Sequence, residues 1–255
     1  MNRVAEPLAG QVAIVTGAAR GIGHAITRRL AEMGAGVAMF DKDADTVRLA
    51  ADAIAASGLL AEPHSADVAD ETQVNAAVSA VLEGSGRGID ILVNNAGVYP
   101  HTPFAELTFE EWRRVLSTNL DSMFLLTHAV YPSMVERGYG RIVNISSATV
   151  HIGYPEMTAY IASKAGIVGF TRALANEAGA HGITVNCVTP GLIETEGTQV
   201  EDPTGELFEE IVGGQAIKRR GQPEDIVECV AYLVDPQASF ITGQTINVDG
   251  GHRFH

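Results

Sequence analysis

The stretch Gln11-Val-Ala-Ile-Val-Thr16-Gly17-Ala-Ala-Arg20-Gly21-Ile22-Gly23, continuing through Ala25, Ile26, Leu30 and Met33 to Gly34, decides how the chain is read. Its first six residues are a short apolar run, the pattern of a strand buried on both faces. Three glycines follow at once, and then apolar residues at helical spacing that Gly34 stops. Strand, glycine turn and helix together form a place where backbone N–H groups and a helix N-terminus can meet an anion such as a pyrophosphate. The spacing is GxxxGxG. It is neither GxGxxG nor a phosphate loop, which needs a lysine after its last glycine. A tight strand–helix turn without a ligand is the alternative.

Working outward, the alternation repeats. Residues 36–40 form a second apolar strand ending on Asp41, about twenty residues past the glycines, where a carboxylate can bind ribose hydroxyls and repel a 2′-phosphate. Asp41 can instead cap the next helix, and Arg20 and Lys42 could attract a 2′-phosphate. The balance favours NAD over NADP. A helix is expected over 45–57, a strand over 59–65 leading to Asp67-Val68, and a helix over 72–82. Asp67 could reach an adenine edge, or it or Asp70 could cap that helix. A fourth strand, 88–93, ends at Asn94-Asn95-Ala96-Gly97. A long helical pattern spans 108–137, with the polar Asn119 in its middle. A fifth strand, 141–145, delivers Ser146 and Ser147. A sixth, 182–188, ends at Thr189-Pro190-Gly191. The polar segment 192–220 reads as a lid. A helix over 223–233 and a strand over 244–248 close the pattern. No linker or repeat interrupts the chain, so residues 1–255 read as one doubly wound α/β domain of the Rossmann type, a parallel seven-stranded sheet with helices on both faces. Ligands in such sheets bind at the carboxyl ends of strands. Gly17, Asp41, Asp67, Asn94, Ser147 and Pro190 all fall there.

The chemistry concentrates between Ser147 and Lys164. The helix expected from Glu156 onward puts Tyr160 and Lys164 one turn apart on one face. A phenol has an unperturbed pKa near ~10, and an adjacent ammonium is expected to lower it. The pair suits proton exchange with an alcohol–carbonyl couple. Ser147 adds a hydroxyl that can polarise a carbonyl.

Composition narrows the partners. The 255 residues are 46% apolar, and 17 Lys and Arg against 31 Asp and Glu leave a net charge of −14. That acidity argues against nucleic acid and anionic membranes. Cys187 and Cys229 read as two buried free thiols of a reducing compartment. No metal site is expected. The N-terminus lacks a signal peptide's apolar core, and no run reaches membrane-spanning length, so a cytoplasmic protein is expected. Asn144-Ile-Ser146 matches a glycosylation sequon but falls inside a strand.

In this order the motifs resemble the short-chain dehydrogenase/reductase family, over residues 12–251. Thr16-Gly-Ala-Ala-Arg-Gly-Ile-Gly23 is similar to its cofactor turn and Asn94-Asn-Ala-Gly97 to its sheet-stabilising motif. Ser147 with Tyr160-x-x-x-Lys164 is similar to its catalytic set, and Pro190-Gly191 with Thr195 to its nicotinamide-amide segment. The resemblance implies that Tyr160 exchanges the hydroxyl proton, Lys164 assists it and binds the nicotinamide ribose, Ser147 holds the substrate oxygen, and Asn119 holds a relay water. It implies cofactor contacts from Gly17, Arg20, Gly21, Ile22, Gly23, Asp41, Asp67, Val68, Asn94, Ala96, Gly97, Tyr160, Lys164, Pro190, Gly191, Ile193 and Thr195. Substrate contacts would come from Tyr99, His101, Thr149, His151, Tyr154 and Met157, although for the two histidines a solvent-facing loop position is the favoured reading. The activity implied is NAD-dependent hydride transfer to or from a small secondary alcohol or ketone, aryl or pyridoxal-like compounds included. The alternatives are an NADPH-dependent 3-oxoacyl-carrier-protein reductase and an NAD-binding sensor or scaffold without turnover. The family implies a homotetramer packed through the 108–137 and 159–180 helices.

Overall fold

A computed structural model describes residues 6–254; the terminal residues 1–5 and 255, and with them the N-terminal stretch read for an export signal, lie outside the described residues. The elements follow in chain order as β1 Val12–Thr16, α1 Gly21–Glu32, β2 Gly36–Asp41, α2 Ala44–Ala55, β3 Ala61–Ser65, α3 Glu71–Ser85 and β4 Ile91–Asn94. Then come α4 Phe109–Leu116, α5 Ser122–Arg137, β5 Gly140–Ile145, α6 Thr158–Ala178 and β6 Ile183–Pro190. The last are α7 Glu196–Glu201, α8 Glu206–Gly214, α9 Pro223–Val234 and β7 Thr245–Val248. The seven strands form one sheet in the order β3-β2-β1-β4-β5-β6-β7, every pairing parallel.

The apolar runs of the strands explain the two helical layers. Successive strand side chains point to opposite faces. Ala13, Val15, Val37, Met39, Val93 and Val143 pack under α1, α2 and α9, through Ile26, Leu30, Val47, Ile54, Ile226 and Val230. Ile14, Phe40, Leu92, Ile142 and Val185 pack on the other face under α3, α5 and α6, through Val74, Val78, Leu126, Val130 and Ala175. A strand with helices on both sides must be apolar at every position, which is why these runs do not alternate. Cys187 is buried; Cys229 is only half-buried, because α9 turns that position toward the rim of its layer. Among the described residues no helix is long and apolar enough to cross a membrane.

Beyond shifts of up to three residues at several element ends, three departures from the sequence reading bear on the site. The 108–137 helix is interrupted at Ser117–Asp121 by a π-helical turn that carries Asn119. The helix bearing Tyr160 starts at Thr158, because Glu156 takes a left-handed φ of 63° in the preceding turn. A short 3-10 turn, Ala148–His151, intervenes after Ser147. The 192–220 segment carries α7 and α8.

One polar network crosses the core. Asn144, fully buried in β5, accepts from Asn94 Nδ2 at 2.9 Å and donates to Thr171 Oγ1 of α6 at 3.0 Å. This burial removes the sequon from any glycosylating enzyme's reach. Asn144→Ala removes one hydrogen bond from each of two buried groups, Asn94 Nδ2 and Thr171 Oγ1, and is expected to cost about 2 kcal/mol. Urea unfolding, read as a lower midpoint at unchanged slope, checks it; a loss below about 0.5 kcal/mol would show that the network relaxes around the gap.

Candidate active site

The strand order reverses between β1 and β4, and a crevice opens at their carboxyl ends. Thr16 and Asn95 hold its two lips together. Thr16 Oγ1 accepts from the N–H groups of Asn95 and Ala96 at 2.9 and 3.0 Å, and Asn95 Nδ2 donates to the carbonyls of Thr16 and Gly17 at 2.9 and 3.2 Å. Asn94, expected as a cofactor contact, is buried at the end of β4 and is not in the cleft lining; its Nδ2 donates to Asn144 and Thr127, and its Oδ1 has no partner among the described residues. Its neighbour Asn95 is the crevice residue, one step on and therefore on the other side of the strand. Period-two alternation was the available signal.

The glycine turn fits a dinucleotide. The N-cap of α1, Arg20, is extended and makes no side-chain capping bond, and the first turn carries no acid. The N–H groups and positive dipole end of a twelve-residue helix are thus open toward the crevice. A Cβ at Gly17 would lie 3.0 Å from Ala96 Cα, and one at Gly21 would meet nothing nearer than Thr195 Cγ2 at 3.5 Å. Gly17 is therefore required by the backbone packing, while Gly21 leaves space. Asp41 closes the far end. Its carboxylate accepts from Ala19 N at 3.2 Å and Asp43 N at 3.1 Å, and Arg20 is drawn into an ion pair with Asp43 at 3.1 Å. Asp43 caps α2, so the capping alternative for Asp41 falls to its neighbour. Asp67 is exposed at the end of β3, where its carboxylate accepts from Ala69 N, and Asp70 caps α3. Val68 is buried beside it.

At the middle of the sheet the Ser147, Tyr160 and Lys164 side chains line one cleft of about 530 Å³. β5 ends at Ile145 and projects Ser146 and Ser147 beyond it. Ser146 Oγ donates to the Lys164 carbonyl at 2.7 Å, fixing α6 against the strand. Lys164 is 4% exposed, and its Nζ donates to the Ile145 carbonyl at 2.8 Å. Burial pulls its pKa down to about 8, so it is still largely ammonium at neutral pH. Tyr160 departs from the expectation. Burial pushes its phenol up to about 12, the interaction with Ser147 opposing and Tyr99 and Glu201 adding to the rise. Lys164 Nζ stands 5.8 Å from the Tyr160 ring centre, too far to offset desolvation of the phenolate.

Asn119 is 2% exposed. Its Oδ1 accepts from Val98 N at 2.8 Å, and its Nδ2 donates to Val98 O at 2.9 Å and Ser163 Oγ at 3.0 Å. Both amide donors are taken, leaving one lone pair on Oδ1. A Cβ at Gly97 would sit 3.3 Å from that oxygen and 3.4 Å from Lys164 Nζ, so Gly97 keeps the space between them open. π-turns inside helices occur preferentially at functional sites; this one turns Asn119 toward Val98.

Tyr99, His101, Thr149, Tyr154 and Met157 line the cleft, as do Gly21, Ile22, Gly97, Pro190, Gly191, Ile193 and Thr195. His151 does not: the 3-10 turn carries it away from the lining. The cleft also takes Glu201, Leu207 and Ile211 from α7 and α8 and His252 from the C-terminal tail. Of these His252 had no signal in the sequence, since a tail's path depends on tertiary packing. Tyr99 stands edge-on to Tyr160, ring centres 6.2 Å apart. The Tyr99 hydroxyl lies against Gly197, where a Cβ would come within 2.9 Å of it.

Comparison with known proteins agrees with this geometry. A family model described as enoyl-(acyl carrier protein) reductase matches residues 17–253. The chain is 38% identical over 247 residues to the 3-oxoacyl-(acyl-carrier-protein) reductase FabG of Vibrio cholerae, covering 96% of this chain and 98% of that one. It is 42% identical over 250 residues to a short-chain dehydrogenase/reductase of Armillaria gallica, covering 95% of each. The crystal structure of gox2181 superposes with a TM-score of 0.93 at 36% identity, over 97% of this chain and 98% of that one. The chain belongs to the short-chain dehydrogenase/reductase family, oxidoreductases that bind a nicotinamide cofactor.

Proposed function

We propose that the protein is an NAD-dependent oxidoreductase acting between a small secondary alcohol and its ketone. The observation that carries this reading is the convergence of Ser147, Tyr160 and Lys164 on one cleft beside the glycine turn. Hydride exchange with the carbinol carbon is the chemistry the nicotinamide supplies when bound. Tyr160 Oη takes the hydroxyl proton in oxidation and returns it in reduction. Lys164, held by the Ile145 carbonyl, keeps a positive charge near the phenol and the ribose subsite. Ser147 donates to the substrate oxygen. Gly17, Gly21 and Gly23 let the α1 N-terminus receive the pyrophosphate, and Pro190, Gly191, Ile193 and Thr195 flank the nicotinamide end.

The preference for NAD rests on Asp41, whose carboxylate sits at the ribose end, and on Asp43, which engages Arg20 and keeps it from serving a 2′-phosphate. The preference for a small uncharged substrate rests on the lining. Lys164 is its only Lys or Arg among the described residues, while Glu156 and Glu201 stand at the rim. Three other lid acids are occupied: Arg220 pairs with Glu194 and Glu209, and Asp202 accepts from Phe208 N. An anionic substrate would find no arginine and no lysine besides Lys164 in that lining. The Ile193–Gly221 bridge at the base of the segment carrying α7 and α8 supports the reading of that segment as the lid. Assembly through α5 and α6 is supported by the half-exposed Phe124 and the outward groove it shares with Leu120, Gly166 and Phe170. The relative from Vibrio cholerae favours a second reading, reduction of a 3-oxoacyl carrier thioester with NADPH.

The test is reduced-nicotinamide absorbance with NAD and NADP in parallel, across secondary alcohols, pyridoxal-type compounds and a 3-oxoacyl thioester. Turnover of an alcohol class with NAD supports the first reading; thioester reduction with NADPH supports the second. Cofactor binding without turnover across the panel would indicate a sensor. Asp41→Asn keeps the acceptor for Ala19 N but removes the charge. It is expected to improve the NADP-to-NAD ratio of kcat/KM by about tenfold or more, the equivalent of ~1.4 kcal/mol. An unchanged ratio would remove Asp41 as the discriminating group.

A further inference from the structure

The Ser147 hydroxyl is held on its protein side by one neighbour. Ser147 Oγ accepts from the Thr149 backbone N–H at 3.2 Å and from the Thr149 hydroxyl at 2.9 Å. A serine hydroxyl has two acceptor lone pairs and one donor proton. Both lone pairs are filled by Thr149, which leaves the proton as the hydroxyl's free hydrogen-bonding group. Ser147 is buried and lines the cleft with Tyr160, so that proton is directed at whatever oxygen occupies the cleft.

We propose that Thr149 is a positioning residue that makes Ser147 an obligate donor toward the substrate oxygen. The proposal rests on the reading of Ser147 as the group that polarises that oxygen. Its physical content is orientation. A free serine hydroxyl rotates among staggered positions and can offer a lone pair to the substrate as readily as its proton. A lone pair facing the substrate oxygen is repulsive when that oxygen carries developing negative charge. Pre-aimed donors act where charge develops and need no reorganisation during the reaction. The two Thr149 bonds arise from the 3-10 turn Ala148–His151, which Ser147 caps and which returns residue 149 over the serine side chain. The turn that interrupts the chain after β5 thus aims the hydroxyl that β5 delivers.

The experiment is a double-mutant cycle on the full chain with an alcohol found by the panel above. Thr149→Val keeps the branched shape and the backbone N–H but removes the hydroxyl donor. It is expected to lower kcat about five- to tenfold, the scale of one neutral hydrogen bond, with KM and cofactor affinity little changed. Thr149→Ser restores the hydroxyl and is expected to return kcat to within about twofold of the parent, because the donor to Ser147 Oγ is back. In a Ser147→Ala background, Thr149→Val is expected to change kcat by less than about twofold, because its effect passes through Ser147. Equal losses in both backgrounds, no loss in the parent, or no rescue by serine would each overturn the proposal. If Ser147→Ala itself leaves kcat unchanged, the reading of Ser147 as a catalytic group fails, and this proposal fails with it. Thr149→Ser guards against a folding artefact in Thr149→Val: a valine variant that melts early while serine retains parent stability and parent kcat leaves the cycle to be run with Thr149→Ala.

Discussion

Tyr160→Phe is expected to lower turnover by ~10²–10⁴-fold, the range for loss of a positioned acid–base group, with NAD affinity retained. The phenyl ring keeps the edge-on packing against Tyr99, so the cleft wall stands and only the exchangeable proton is lost. The pH profile gives a second readout. With the phenol held at about 12 in the cofactor-free protein, the deprotonated form is scarce at neutral pH. Oxidation needs that form, so its rate rises with pH. Reduction needs the protonated phenol and does not gain from higher pH. In the phenylalanine variant the Tyr160-dependent part of the slope disappears. Steady-state kinetics beside a fluorescence titration of cofactor separate chemistry from binding. Unchanged turnover with intact binding would end the Tyr160 mechanism.

Gly23→Ala is expected to abolish measurable cofactor binding and to destabilise the fold by about 2–4 kcal/mol, through overpacking and lost hydrogen bonds. A Cβ there would lie 2.1 Å from the Gly17 carbonyl oxygen and 2.5 Å from Asn95 Nδ2. The first neighbour is backbone and cannot swing aside. The turn must open, and opening it breaks the bonds from Asn95 to Thr16 and Gly17 that join β1 to β4. The φ of this residue is ordinary; the constraint is space. Gly84 in α3 provides the contrast, since a Cβ there meets nothing within 4 Å. Gly84→Ala is expected to be neutral or stabilising by up to about 1 kcal/mol. Urea unfolding of both variants with a cofactor titration decides the matter. If Gly23→Ala binds NAD as the parent does, the tight contact between the turn and α1 is not what shapes the cradle.

These two positions show how differently a sequence reveals its parts. Tyr160 and Lys164 were legible because helical spacing is a local property, and α6 formed where the spacing placed it. Asp41 and the glycine turn were legible because they sit at strand ends. The role of Asn95 was hidden behind Asn94: two identical neighbours differ only in which side of a strand they face. The π-turn at Ser117–Asp121 was hidden too, since the apolar pattern through Trp112, Leu120 and Phe124 continues across it. The pKa of Tyr160 had the wrong sign in the sequence reading. A Lys four residues away supplies charge, but desolvation of the phenol in the folded chain outweighs it, and Tyr99 and Glu201, from distant parts of the chain, add to the rise.

The succession of strands and helices along the chain, the doubly buried sheet and the residue types at the strand ends were readable from residue order alone, because periodicity and turn chemistry are set by neighbours along the chain. Which of those residues meet depends on the folded chain: the crevice opens at the carboxyl ends of the paired β1 and β4, Arg220 takes Glu194 and Glu209 while Glu201 lines the cleft, His252 returns to that lining, and Asn95 ties β4 to the glycine turn. Those facts depend on sheet order, on desolvation and on hydrogen bonds closed across gaps of tens of residues, and no local pattern encodes them.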